Sequence, residues 1–232
     1  MRIHKRNGRQ PPLLLISALA SGLLLTACTA DEPEVEIPAM PFDAVAMPVD
    51  SAPAVSPGQH LAAGEIALLP QTDHNGAPLD SIETTVIGVI EGDPSFWETF
   101  DNGSEFANDT PFFTVIQYRW VTGTVSDRAT PLLRPILDDG SEGGIVQLES
   151  LGALTADSVC PFEIERFDED TTRGPNEFIT CVLYTAPIGS TLVGLAWHNT
   201  QPSLVFAPED DVNPFYSTPA VWDVAPLPPT AD

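Results

Sequence analysis

The chain has 232 residues and carries 33 acidic against nine basic side chains, a formal net charge of −24 at neutral pH. A surface this acidic repels phosphate backbones and anionic headgroups, so nucleic acid and charged lipid surfaces are poor partners. Cationic partners, divalent ions and solubility at high ionic strength remain open.

Residues 1–27 have the layout of a secretory leader. Arg2, Lys5, Arg6 and Arg9 form a basic head, residues 13–27 form an apolar run, and small residues precede the cut. A spanning helix needs roughly 20 apolar residues; this run is shorter and is followed by Asp31-Glu32. The four residues Leu25-Thr26-Ala27-Cys28 look like a bacterial lipobox, in which the cysteine is diacylated before cleavage. Two acyl chains hold a protein on a bilayer where one does not. This makes Cys28 the lipid-attachment residue, gives the protein a membrane partner through its anchor, and places it on the extracytoplasmic face of the cell membrane. A signal peptide with a chance cysteine is the alternative. Removing the leader leaves five arginines against all 33 acids, 5 − 33 = −28.

Residues 28–60 are acidic and studded with proline, as in Asp31-Glu-Pro-Glu-Val-Glu-Ile-Pro38. Prolines at this density oppose both helix and sheet, which predicts a disordered, extended tether. Stretched at about 3.1 Å per residue, it would reach on the order of 90 Å.

Residues 61–226 change to short apolar runs cut by turn residues, the pattern of an all-β fold. Strands are expected near 65–69, 84–91, 112–121, 132–137, 145–149, 160–167, 178–185, 191–197 and 220–225. The stretch 112–121 is the strongest. Phe112, Thr114, Ile116, Tyr118 and Trp120 share one face, while Phe113, Val115, Gln117 and Arg119 share the other, so one face is core and the other mixed. Pro135 marks 132–137 as an edge or irregular strand. Pro187-Ile-Gly-Ser190 joins 178–185 to 191–197 as an expected hairpin. Seven to nine strands fit a single β-sandwich, with 227–232 as a tail.

With Cys28 lipidated, Cys160 and Cys181 remain as an even pair on the oxidising side of a membrane. A disulfide closing a loop of about 20 residues would contribute roughly 3 kcal/mol. Two buried thiols are the alternative.

Several segments in order resemble the immunoglobulin-like (telokin-like) domains of secreted actinobacterial lipoproteins. They are Pro111-Phe-Phe-Thr-Val, Leu133-Arg-Pro-Ile-Leu-Asp-Asp-Gly140, Thr180-Cys-Val-Leu-Tyr-Thr-Ala-Pro-Ile-Gly189 leading into Val193-Gly-Leu-Ala-Trp197, and Pro219-Ala-Val-Trp222. The resemblance implies an immunoglobulin-like β-sandwich over residues 61–224, a cysteine pair at Cys160 and Cys181, and no catalytic residues.

The chain has no H-E-x-x-H, G-x-S-x-G, G-x-x-x-x-G-K or G-x-G-x-x-G motif, and His198 reads as a surface or hydrogen-bonded residue. Asp168, Asp170 and Glu177 supply oxygens within ten residues but lack the glycine and terminal carboxylate of an EF-hand loop, so they are weak candidates for calcium. The run Glu209-Asp210-Asp211 is another. Trp120, Trp197 and Trp222 are expected in the core, one of them against the disulfide. Phe96-Trp97 and Phe215-Tyr216 are expected to pack over the ends of the sandwich, with partner anchoring as the alternative. The expected function is that of a monomeric, non-catalytic envelope lipoprotein without a cofactor, presenting its acidic domain to a protein or envelope partner. A small-ligand or calcium-binding accessory lipoprotein is the alternative.

Overall fold

The computed structural model describes residues 39–72, 78–121, 130–146, 160, 176–199 and 213–228. The leader with Cys28, the expected strand 160–167, Asp168, Asp170 and the run 209–211 lie outside the described residues. The described residues form nine strands: β1 (His60–Ala62), β2 (Ala67–Thr72), β3 (Pro78–Glu91), β4 (Asp109–Trp120), β5 (Leu133–Leu137), β6 (Gly144–Ile145), β7 (Glu177–Pro187), β8 (Leu192–Trp197) and β9 (Ala220–Asp223). Two short 3-10 helices, Pro94–Thr99 and Gly103–Phe106, lie between β3 and β4. The all-β sandwich expected from the sequence is present.

The strands make two sheets, in the orders β1-β9-β8-β5 and β2-β3-β4-β7-β6. Within them, β3-β4-β7-β6 follows the A-B-E-D order of an immunoglobulin sheet and β5-β8-β9 follows C-F-G. Two additions surround this frame. β1 runs parallel beside β9, and β2 pairs antiparallel with the outer side of β3. β5 is an edge strand, as Pro135 requires.

The core between the sheets is built from alternate residues of both. Ile82, Val86, Phe112, Ile116, Tyr118, Trp120 and Tyr184 face Leu61, Leu133, Leu192, Leu195, Trp197 and Trp222. All three strand tryptophans are buried here. Each fully buried large apolar side chain contributes about 1.5–3 kcal/mol, so this layer is the main source of stability. Two tyrosines stitch it across. Tyr184 Oη donates to the Leu133 carbonyl at 2.9 Å and Tyr118 Oη to the Pro131 carbonyl at 3.4 Å, tying β7 and β4 to the segment that forms β5.

Three expectations are corrected. The stretch 178–197 is not a hairpin: β7 pairs with β4 and β6, β8 pairs with β5 and β9, so the Pro187–Ser190 turn carries the chain from one sheet to the other. Tyr184 and Ala186 on one side, and Leu192, Leu195 and Trp197 on the other, all point into the same core, which a flat hairpin could not achieve. The disulfide joins Cys160 to Cys181 with Cα atoms 6.5 Å apart, but it lies on the outer face of the five-stranded sheet among Trp97, Ile179 and Leu183, away from the three core tryptophans. At the C-terminal side, Leu227 belongs to the fold and not to a tail, since its N–H donates to Val89 and its carbonyl accepts from Glu91.

Burial raises the Tyr118 and Tyr184 hydroxyls well above the ordinary tyrosine range, and Tyr118 adds to the rise at Tyr184. Their folded values lie above the unfolded value of about 10, so above that pH the native state holds more protons and stability falls as pH rises. In an alkaline titration these two tyrosines should ionise only together with the loss of near-ultraviolet circular dichroism. Ionisation of both with the fold intact would contradict the core assignment.

Candidate functional site

β4 has two buried faces. Phe112, Ile116, Tyr118 and Trp120 enter the core between the sheets, whereas Phe113 and Val115 enter a second apolar layer with Ile87, Ile90, Ile179, Cys181 and Leu183 on the outside of the five-stranded sheet. A sheet that is apolar on both faces needs two covers. The second cover comes from the two 3-10 helices and from the stretch read above as tether.

Residues 39–59 are ordered and packed, which overturns the tether boundary at residue 60. Met40, Phe42, Ala44 and Val45 lie against the outer apolar layer. The Phe42 ring rests on Gly88 of β3, where any Cβ would collide with it, so glycine is required for this close approach. Val45 is gripped by one side chain: its N–H donates to Gln117 Oε1 at 2.9 Å and its carbonyl accepts from Gln117 Nε2 at 2.8 Å. Ala52 N–H donates to Glu83 Oε1 at 2.7 Å. Val55 N–H donates to the Leu68 carbonyl at 3.1 Å and Leu68 N–H to the Pro53 carbonyl at 3.0 Å, a parallel bridge along the outer edge of β2. The prolines that argued for a free tether instead keep a docked strap extended.

Beneath the strap runs a polar row across three strands. Glu83, Arg119 and Glu177 are register partners on β3, β4 and β7. The Arg119 guanidinium donates to Glu83 Oε2, and Gln117 Nε2 also donates to Glu177 Oε1 at 2.6 Å. The side chains of Glu83 and Gln117 are fully buried. A buried carboxylate survives only when paired and hydrogen-bonded, and Glu83 has both an arginine and a backbone N–H. This row was half legible: Gln117 and Arg119 stood on the mixed face of the strongest strand, but nothing in the pattern showed what they hold.

The other expected residues are placed as follows. Glu177, a weak calcium candidate, spends an oxygen on Gln117. Among the described residues no three of His, Cys, Asp and Glu gather to hold a metal ion. His198 Nδ1 is hydrogen-bonded to the Tyr216 carbonyl at 2.9 Å. Beside it, buried Asn213 donates to the His198 carbonyl at 2.8 Å and accepts from Phe215 N–H, closing the turn toward β9. His60 meets both carboxylate oxygens of Asp223 across the β1–β9 pair, at 2.9 and 3.1 Å, on the surface. Arg134 pairs with Glu142. Hydrogen bonds from Ser95 and Ser141 hold the Asp93 and Asp139 carboxyls below the usual range, which assigns both to local turns. Trp97 is buried over the outer layer, stacked on Phe106 and donating Nε1–H to the Asp109 carbonyl, and Phe215 packs on Trp197. Of these loop aromatics Tyr216 is the exposed one.

No protein-family model, curated protein or solved structure matches the chain.

Two substitutions test the site. Gln117→Ala removes both bonds to Val45 and should cost about 1–3 kcal/mol while raising amide exchange at Val45 and its neighbours well before global unfolding. Arg119→Met strands the buried Glu83 carboxylate and should cost about 3–5 kcal/mol, whereas the double change Glu83→Leu with Arg119→Met should recover most of the loss. A double-variant cost equal to the sum of the Glu83→Leu and Arg119→Met costs would show that the pair is not coupled.

Proposed function

We propose that this is a lipid-anchored envelope lipoprotein whose folded part is a non-catalytic interaction module held on the extracytoplasmic face of the cell membrane. The observation that carries this reading is Cys28, which ends a basic and apolar leader and stands just upstream of a strap fastened into the fold. The cysteine pair bonded at Cys160–Cys181 supports an oxidising compartment. The resemblance to immunoglobulin-like actinobacterial lipoproteins agrees with the A-B-E-D and C-F-G strand orders.

The docked strap changes the mechanical consequence of the anchor. Eleven residues, 29–39, separate Cys28 from Met40, the first residue packed on the outer layer, a contour of about 34 Å at PPII spacing. That is roughly a third of the reach expected for an unstructured tether. A domain on so short a leash serves partners near its own membrane.

His60 and His198 are used in fold contacts, which supports a binding role over acid–base chemistry. The acidic balance favours partners with basic surfaces.

Acylation tests the anchor. Full-length protein should take up labelled fatty acid and fractionate with membranes, and Cys28→Ser should abolish both. Unchanged labelling and partitioning in Cys28→Ser would remove the anchor from the account. The module reading is checked separately by a pull-down from envelope extract at physiological salt, which should recover a specific partner; an empty pull-down counts against it.

A further inference from the structure

The outer face of the five-stranded sheet is built as a receiver for extended chain, and its present occupant comes from the same molecule. We propose that this face also accepts residues 39–55 of a second copy, so that two anchored molecules pair by exchanging straps. The proposal rests on the interaction-module reading and gives that module a partner, another copy of this chain.

The contacts themselves carry the inference, because they are addressed mainly to backbone. Gln117 offers a carbonyl and an amide to one residue's N–H and C=O, as a neighbouring strand would. Glu83 accepts a second N–H seven residues on, and the Leu68 edge of β2 accepts a third beyond it. Side chains add to these bonds: the Phe42 ring rests on Gly88, Met40, Ala44 and Val45 lie on the outer layer, and Val55 is buried in the core between the sheets. Each contact can be made by an identical strap arriving from another molecule, which is the condition for exchange of an element between copies.

The strap is also connected in a way that lets it leave as a unit. Among the described residues the strap's hydrogen bonds to the body lie at Val45 and at Ala52 to Val55, and Val49 between them is fully exposed. The strap joins the body through the tight turn Ser56-Pro57-Gly58-Gln59, in which Gly58 takes φ +74° and Gln59 N–H bonds back to the Ser56 carbonyl. Opening that turn gives up the Gly58 N–H bond to the Thr218 carbonyl and converts the docked strap into a projecting arm, while the pairing of β1 with β9 begins beyond it at His60. Prolines at 41, 48 and 53 keep the arm extended, so little ordering remains to be done when it docks elsewhere. Exchange keeps the strap's docking contacts and is opposed by the turn bonds given up, by repulsion between two acidic chains and by the high local concentration of a molecule's own strap, against which confinement in a membrane raises the concentration of other copies.

Two full-length chains with different tags test this in the envelope. One carries a blocked face, Gly88→Leu with Gln117→Ala, and keeps its strap. The other carries a blocked strap, Phe42→Ser with Val45→Pro, and keeps its face. The mixed pair should co-purify at least tenfold better than two copies of either variant. Where a variant fails to fold, wild-type copies with the two tags serve instead: they should co-purify, and excess synthetic peptide of residues 39–55 should remove the second copy. Equal recovery in all combinations, no recovery of wild-type by wild-type, or recovery that the peptide leaves unchanged would overturn strap exchange. A foreign envelope protein captured under the same conditions, with no second copy, would also overturn it while leaving the module reading intact.

Discussion

A sheet that is apolar on both faces is the constraint from which most of this structure follows. The five-stranded sheet places Phe112, Ile116 and Tyr118 on one side and Phe113 and Val115 on the other. The four-stranded sheet covers the first side. The second would face water, at a cost proportional to its apolar area, unless other chain is laid over it. The fold meets this need with the 3-10 helices around Trp97, the Cys160–Cys181 disulfide, and the strap. An immunoglobulin-like sandwich usually leaves its outer faces to solvent; here the outer face of one sheet has become a second core.

Covering that face with an irregular strap raises a second difficulty. Extended chain lying across a sheet cannot share its ladder, so its N–H and C=O groups need partners from side chains. Gln117 and Glu83 fill that role, which explains these two fully buried polar residues on a largely apolar face. Arg119 then balances Glu83, and Glu177 engages Gln117. The network is thus a consequence of the strap's backbone, not a catalytic constellation that lacks a substrate. The strap also caps part of the edge of β2, a place where unpaired strand groups would invite association.

The parts of the fold written in local pattern were legible from sequence alone. Alternation over 112–121 identified the central strand and both of its faces, and Pro135 marked an edge strand. What failed depends on tertiary choice. A short Pro-x-Gly-Ser turn looks the same whether it closes a hairpin or carries chain between sheets, and only the inward side chains of Tyr184 and Trp197 distinguish the two. β1 is three residues long and is held by parallel pairing with β9, a contact with no local trace. The strap was misread because its prolines and acids match a linker, while the features that dock it are one aromatic, one glycine forty-six positions away, and a glutamine on another strand. Gln117 itself was visible as a polar residue among apolar neighbours. Its partner was not.

The second cover of the five-stranded sheet requires residues 39–59 to be part of the folded unit. The most direct measurement compares denaturant unfolding of residues 39–232 with that of residues 60–232, both oxidised, alongside binding of a dye that reports exposed apolar surface. Loss of the Phe42 and Val45 contacts, the Gln117 and Glu83 bonds and the bridge to Leu68 should lower stability by at least about 3 kcal/mol and expose a dye-binding face. Equal stability and equal dye binding in the two forms would mean that the outer layer needs no strap, and would contradict the central claim.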